Sequence, residues 1–147
     1  MKKAWIVLLL VILLAGCAGS GSTRSYESEQ GVVLYVEAPE EGLAQGEVLP
    51  APRGGWKALV EKVEIPAAAR RGGAKGEVVA RVTIGDEGNI KFAEITRRLG
   101  YGCDEAVLEA IAQATFEPGT IEGEPVQRSL SLVFSFNPKL TFTVGRL

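Results

Sequence analysis

Hydrophobic and polar positions alternate most regularly in two parts of this chain. Residues 77–84 alternate with a period of two, which indicates a β-strand with one buried face. The Gly, Asp and Asn residues at 85–89 suit a tight turn, so residues 90–96 are predicted to return as the second strand of an antiparallel hairpin. Residues 126–136 carry the clearest alternation, with apolar side chains on one face and mostly small polar ones on the other. These patterns predict three strands of one sheet.

Helical spacing of apolar residues predicts three short helices around these strands. The first covers residues 56–63, and the second covers residues 67–71, directly after a proline that suits a first helical turn. The apolar stripe over residues 107–114 predicts the longest helix, with Cys103 or Asp104 as its cap. The order helix, helix, strand, strand, helix, strand predicts an α+β fold in which short helices pack on one face of a small antiparallel sheet.

The start of the chain predicts an export signal. Met1-Lys2-Lys3 is basic, and the apolar run from Ala4 to Ala15 is shorter than the roughly 20 residues that a membrane-spanning helix needs. The run ends in Leu14-Ala15-Gly16-Cys17, which resembles the lipobox of bacterial lipoproteins. We therefore expect residues 1–16 to be removed and Cys17 to carry lipid. An uncleaved apolar anchor is the alternative.

Residues 17–53 are predicted to connect this anchor to the folded unit. Residues 18–30 are rich in Gly, Ser and charge, which is typical of a flexible spacer. Residues 31–37 form a β-branched and aromatic run that predicts a short strand docking on the domain, or else a peptide that orders only on binding. The remainder contains three prolines and is predicted to be a linker. The domain is expected to span residues 54–147, including a last strand at 140–144.

Composition narrows the chemistry. The 147 residues include no His, two Cys, and 16 Lys and Arg against 18 Asp and Glu. Without His the chain lacks the usual general base near neutral pH and the commonest zinc ligand, so we predict no enzyme, no metal site and no cofactor. The formal net charge of -2 argues against a nucleic-acid partner. Once Cys17 is lipidated, Cys103 is the remaining thiol, and we interpret it as a small buried hydrophobe.

Several short pieces of the chain share their residues and their order with a known domain. They are Gly54–Leu59, Pro66–Gly72, Lys75–Val79 with Gly85–Gly88, Asp104–Val107 and Phe116–Gly119. Together they resemble the C-terminal domain of TonB, the energy transducer of Gram-negative envelopes, over roughly residues 54–136. The resemblance implies a small α+β domain with the element order described above.

The resemblance also implies a binding function. Members of this family take up a short extended segment of outer-membrane receptors as an added strand, so main-chain hydrogen bonds supply affinity. We place the receiving edge on residues 126–136. The predicted site residues are Gln127, Arg128, Ser129, Leu130 and Ser131. The alternative, that residues 140–144 fold back and cover this edge, stays open.

The resemblance and the predicted anchor together suggest a place and a role. TonB keeps an uncleaved membrane helix and a long Pro-rich span, whereas here the first apolar segment is predicted to be removed. We therefore expect a TonB-like periplasmic lipoprotein module that binds outer-membrane receptors or other envelope proteins, with or without a part in TonB-dependent transport. A structural or assembly lipoprotein of the envelope is the alternative, and a homodimer is left open. Ala18, beside the lipidated Cys17, favours the outer membrane by resemblance to a lipoprotein sorting rule.

Overall fold

The computed structural model describes residues 24–39 and 42–138. The predicted export signal, the predicted lipidation site at Cys17 and the predicted strand at 140–144 lie outside the described residues. The helices are α1 (Gly55–Glu61), α2 (Ala67–Gly72) and α3 (Cys103–Ala112). The strands are β1 (Arg24–Glu27), β2 (Val32–Glu37), β3 (Glu47–Val48), β4 (Ala51–Pro52), β5 (Gly76–Ile84), β6 (Ile90–Arg97), β7 (Phe116–Glu117), β8 (Gly119–Ile121), β9 (Glu124–Val126) and β10 (Arg128–Phe136).

Five strands form the main sheet, in the order β1-β2-β10-β5-β6, and every neighbouring pair is antiparallel. Helices α1 and α3 contact the strands of this sheet. The predicted α+β fold, with short helices on one face of an antiparallel sheet, is confirmed. The predicted hairpin is also confirmed, since β5 pairs with β6 across the turn at residues 85–89.

The core lies between the sheet and the helices. In β10 the even-numbered side chains from Leu130 to Phe136 are buried, as the alternation predicts. They meet Leu59 and Val60 of α1 and Val107 and Ile111 of α3 in one apolar cluster. Each large side chain in such a cluster contributes about 1.5–3 kcal/mol through burial. Cys103 is fully buried in the same cluster, in agreement with its interpretation as a small hydrophobe.

The amino-terminal part of the folded unit begins earlier than the sequence predicts. The flexible spacer predicted at 18–30 is wrong for Arg24–Glu27, which form β1, and the domain boundary predicted at residue 54 is too late. The strand predicted at 31–37 is confirmed as β2, and its Val32 and Leu34 are fully buried in the core. Most side chains of β1 are exposed, so its pairing rests on backbone groups and leaves little hydrophobic signal in the sequence.

Two polar side chains fasten this amino-terminal hairpin through three hydrogen bonds. The Ser28 hydroxyl accepts a hydrogen bond from the backbone N–H of Val32 at 3.1 Å. The side-chain oxygen of Gln30 accepts one from the backbone N–H of Ile65 at 3.2 Å and another from Arg70 at 2.9 Å. The first bond closes the turn of the hairpin, and the other two tie that turn to Ile65 and to Arg70 of α2.

The predicted cap of α3 needs a correction. The residue before the helix is Gly102, whose φ of 80° lies in the left-handed region, and it makes no side-chain cap. The carboxylate of Asp104 instead accepts the backbone N–H groups of Leu99 at 2.9 Å and Gly100 at 3.3 Å. Asp104 thus holds the turn before the helix, and neither it nor Cys103 caps the helix.

Two smaller sheets complete the described part of the chain. One has the strand order β3-β8-β9, and the other pairs β4 with β7. Trp56 of α1 lies between Tyr26, whose ring is tilted to it, and Phe116, which it meets edge-on, with ring centroids 6.5 and 6.4 Å away, so it links the amino-terminal hairpin to β7. Within residues 24–39 and 42–138, no helix is long and apolar enough to cross a membrane.

Candidate functional site

The predicted binding edge lies on β10, which occupies the middle of the main sheet. Residues Ser131–Phe136 pair with β2 on one flank, and Arg128–Phe136 pair with β5 on the other. The prediction of an open edge is therefore wrong for Ser131–Phe136. Alternation of side chains reports which face of a strand is buried, but it does not report which flank is paired.

The ladder with β2 nevertheless covers only part of β10. In the described part of the chain, β2 ends at Glu37 and its ladder stops at Ser131, whereas the ladder with β5 continues through residues 128–130. In an antiparallel strand, successive residues direct their N–H and C=O groups to opposite flanks. At least one of these three residues therefore presents its peptide groups away from β5, into a cleft of about 430 Å³. The residues lining this cleft are Glu37, Ala38, Pro39, Arg81, Gln127, Arg128, Ser129, Leu130 and Ser131.

The five predicted site residues all line the cleft, but they contribute different groups. Leu130 is 1% exposed because its side chain belongs to the core, so it offers mainly backbone. The hydroxyl of Ser129 lies 2.8 Å from that of Thr83 on β5. Ser131 stands between Glu37 and Arg81 in the sheet register and is paired on both flanks.

An ion pair fixes the first residue of β10. The Nε of Arg128 donates a hydrogen bond to Oε1 of Glu47 at 2.5 Å, and the backbone N–H of Ala44 donates to Oε2 at 2.7 Å. The Glu47 side chain is only 2% exposed. The hydrogen bond from Arg128, followed by that from Ala44, lowers the pKa of the Glu47 carboxyl below its usual value. A charged Glu47 therefore holds the 44–47 segment against the start of the strand.

The two outer edges of the main sheet are less suited to adding a strand. The edge on β1 is four residues long and adjoins residues outside the described part of the chain. The edge on β6 has two register shifts in its pairing with β5 and carries the charged residues Lys91, Glu94 and Arg97. Bulges and charges of this kind are how natural sheets protect their edges from further pairing.

Within residues 24–39 and 42–138, the buried thiol and the acidic side chains give no second site. Burial raises the pKa of the Cys103 thiol, and the charges of Asp104 and Glu105 raise it further, so this thiol is a poor nucleophile. Among the described residues, no three His, Cys, Asp or Glu side chains come together in a way that could hold a metal ion.

Sequence reasoning missed four residues of the cleft, namely Glu37, Ala38, Pro39 and Arg81. Part of the signal was present in the sequence. Pro39 ends the strand-forming run at 31–37, and the alternation of β5 places Arg81 on the face away from the core. What the sequence lacked was the strand order, which brings the end of β2 beside the start of β10.

Comparison with known proteins gives one match. The family model described as "Gram-negative bacterial TonB protein C-terminal" matches residues 62–138, which is just over half of the 147 residues. The matched range runs from the end of α1 through β10 and contains most of the cleft, whereas the hairpin of β1 and β2 precedes it. No curated protein and no solved structure matches the chain.

Proposed function

We propose, from the premise that this chain belongs to the family of Gram-negative bacterial TonB protein C-terminal domains, that it captures a short extended segment of an envelope protein in the cleft beside residues 128–130. The family consists of non-enzymatic protein-interaction domains of the cell envelope that contact outer-membrane proteins. The proposed partner is an outer-membrane receptor or another envelope protein. We further propose that Cys17 carries a lipid anchor, that the outer membrane is the preferred location, and that the domain faces the periplasm.

This proposal rests on one observation, which is that β2 and its ladder with β10 end at Glu37. Among the described residues, the peptide groups of Ser129 and Leu130 have no ladder partner on the side of β2. An added segment would pair with those groups, and its alternate side chains would face the cleft walls. Three paired residues span only about 10 Å at the usual rise per residue, so the expected complex is weak and transient.

A second candidate function is a structural or assembly role in the envelope without transport. One observation favours it: β2 already occupies the flank of β10 from Ser131 to Phe136. Since Val32 and Leu34 are fully buried, a longer partner strand could displace β2 only by opening the core. Long strand addition along this flank is therefore blocked in the folded protein.

A backbone titration tests strand addition directly. Isotope-labelled full-length protein in detergent micelles is titrated with blocked peptides that span periplasm-facing segments of outer-membrane receptors, and amide chemical shifts are recorded. The proposal predicts shifts confined to residues 127–131 and to the end of β2. Shifts located only on β1 or β6, or none at all with any segment, would contradict the cleft as the binding site.

Methylated peptides serve as the matched control. Two versions of the best-binding peptide carry N-methyl groups on one or the other alternate set of amides. Only one set faces β10 in an added strand, so one version should lose binding and the other should keep it. Equal binding by both versions would show that recognition does not use a main-chain ladder.

A further inference from the structure

Positive charge is concentrated in two short segments of the chain. Residues 66–76 and residues 97–102 together contain five Lys and Arg but no Asp or Glu. Over all 147 residues the balance is the opposite, with 16 Lys and Arg against 18 Asp and Glu. A weakly acidic chain can therefore carry a basic region on its surface, if the fold brings these two segments together.

Two close contacts bring the segments side by side. The ring of Tyr101 covers Gly72, where a Cβ atom would stand 3.1 Å from Cε1 of the ring. The side chain of Leu99 covers Gly76, where a Cβ atom would stand 2.7 Å from its Cδ1. Glycine lets both side chains approach this closely. The loop between β6 and α3 therefore lies along the segment that joins the end of α2 to the start of β5.

Three of the five cations have no acidic partner among the described residues. Arg97 is paired with Glu77 at 3.0 Å, and Arg70 donates a hydrogen bond to the side chain of Gln30. The exposed cations that form no ion pair within residues 24–39 and 42–138 are Arg71, Lys75 and Arg98. These three residues, together with Tyr101, are called the basic surface below.

Tyr101 is held on this surface in a conformation that disfavours a bulky residue. Its φ of 56° lies in the left-handed region, between Gly100 and Gly102 with φ values of 83° and 80°. Its side chain is nevertheless 55% exposed. A strained residue on the surface is often kept for binding, and an exposed aromatic ring beside cations gives a partner apolar contact as well as charge.

The direction of β1 places the basic surface away from the predicted anchor. β1 runs from Arg24 to Glu27, and the sheet register puts Glu27 in the row of Glu77, next to Gly76. β1 therefore runs toward the basic surface, and a lipid on Cys17 would join the domain from the other side. This arrangement favours a protein partner in the periplasm over the lipid surface that holds the anchor.

We propose that the basic surface docks an acidic segment of a periplasmic partner protein. Arg71 and Arg98 offer planar sets of donors that fit carboxylates, and Lys75 adds a third cation between them in the sequence. This interaction goes beyond the proposed function, from which it takes only the anchor at Cys17. It is a second contact, separate from the cleft on β10.

Matched peptides test the preference for negative charge. Blocked Gly-Ser peptides carry three Glu residues, or three Gln residues at the same positions, and are titrated into isotope-labelled full-length protein in zwitterionic micelles at low salt. The Glu peptide should bind about tenfold more tightly than the Gln peptide, as expected for three exposed ion pairs. It should shift the amides of residues 71–76 and 98–102 and the ring signals of Tyr101. The preference should shrink as added salt screens the charges.

Single substitutions identify the residues responsible. Arg71→Gln, Lys75→Gln and Arg98→Gln should each weaken binding of the Glu peptide about twofold and leave binding of the Gln peptide unchanged. Arg81→Gln is the matched control, because Arg81 is also exposed and forms no ion pair in the described part of the chain, but lies in the middle of β5. This variant should keep the full preference. All four side chains are exposed, so the variants should fold.

Equal binding of the Glu and Gln peptides would overturn the inference, as would a preference that survives all three substitutions combined. Micelles doped with anionic lipid give a further test. If the lipid shifts the amides of residues 71–76 and the Glu peptide does not, the basic surface contacts a membrane and the inference is also overturned.

The position of the shifts separates this inference from the proposed function. If receptor-derived segments shift the amides of residues 127–131 and the Glu peptide shifts none, the cleft stands and the role of the basic surface is overturned. If the Glu peptide shifts residues 71–76 and no segment shifts residues 127–131, the basic surface stands and the cleft is overturned.

Discussion

The two ends of β10 lie in one strand but differ in almost every physical respect. From Ser131 to Phe136 the strand has a neighbour on each flank, and its inward side chains fill the core. From Arg128 to Leu130 it has β5 on one flank and a cleft on the other. The first end is expected to govern stability, and the second is where we propose that binding takes place.

The difference arises from where β2 stops. Pro39 lies two residues beyond the end of β2, and a proline cannot donate to a sheet ladder. The end of the β2 ladder is therefore built into the chain, whereas Ser131–Phe136 are covered by a strand whose own apolar residues Val32 and Leu34 are buried. A short site on a rigid strand keeps its geometry without exposing a long edge to aggregation.

The largest effect is expected from truncating the core end of the strand. Phe134→Ala removes a fully buried aromatic side chain and should lower the free energy of unfolding by about 3–5 kcal/mol. Chemical denaturation of the variant measures this loss. Ser135→Ala, next to it on the outward face, is the control and should change stability by less than about 0.5 kcal/mol. Similar losses in both variants would contradict the assignment of faces.

The second effect tests whether β2 is part of the folded unit. Leu34→Ala should lower the free energy of unfolding by about 2–4 kcal/mol, because Leu34 is fully buried although it precedes the matched family range. The same denaturation experiment measures it, with Tyr35→Ala on the outward face as a milder comparison. If Leu34→Ala lost less free energy of unfolding than Tyr35→Ala, β2 would not be part of the cooperatively folded unit.

A smaller effect concerns the ion pair between Arg128 and Glu47 at the start of β10. Since hydrogen bonds from Arg128 and Ala44 lower the pKa of folded Glu47, its contribution to stability is present above its unfolded pKa and is lost as the pH falls through the folded value. Below about pH 4.5 the unmodified protein should therefore lose stability more steeply than Glu47→Gln. Thermal unfolding from neutral to acidic pH measures this difference. Parallel curves would mean that Glu47 does not contribute.

The smallest effect on stability is expected at Arg81. The Arg81→Gln variant should unfold within about 0.5 kcal/mol of the unmodified protein, because Arg81 is exposed and forms no ion pair among the described residues. Denaturation of this variant beside Phe134→Ala compares the outward face of the sheet with its buried face. A loss of stability as large as that of Leu34→Ala would mean that Arg81 is a structural residue.

The parts of the fold that carry a strong periodic pattern were predictable from the sequence. The β5–β6 hairpin, the three helices and the strand at β10 follow from the spacing of apolar residues. β1 was missed because its side chains are mostly exposed, so its pairing leaves no hydrophobic pattern. The position of Cys103 and Asp104 at the start of α3 predicts one of them as its cap, yet the carboxylate of Asp104 binds the turn before the helix.

The candidate site was predictable only in part. The resemblance drew attention to residues 127–131, and the structure brings all five to one cleft. The order of strands is decided by contacts between distant segments, so the sequence could not show that β2 covers Ser131–Phe136 and stops at Glu37. For the same reason the local pattern did not show that Arg81 and Pro39 line the same cleft. It did place Arg81 on the outward face of a strand and Pro39 after the end of one.

Residue-resolved amide hydrogen exchange along β10, with and without a bound peptide, tests the central claim most directly. In the free protein every N–H from 132 to 136 should be protected, because both flanks are paired. At least one N–H among residues 128–130 should exchange rapidly and become protected when a receptor-derived peptide binds. Equal protection of all these amides in the free protein, or exchange at 128–130 that no peptide slows, would contradict an open flank that receives a partner strand.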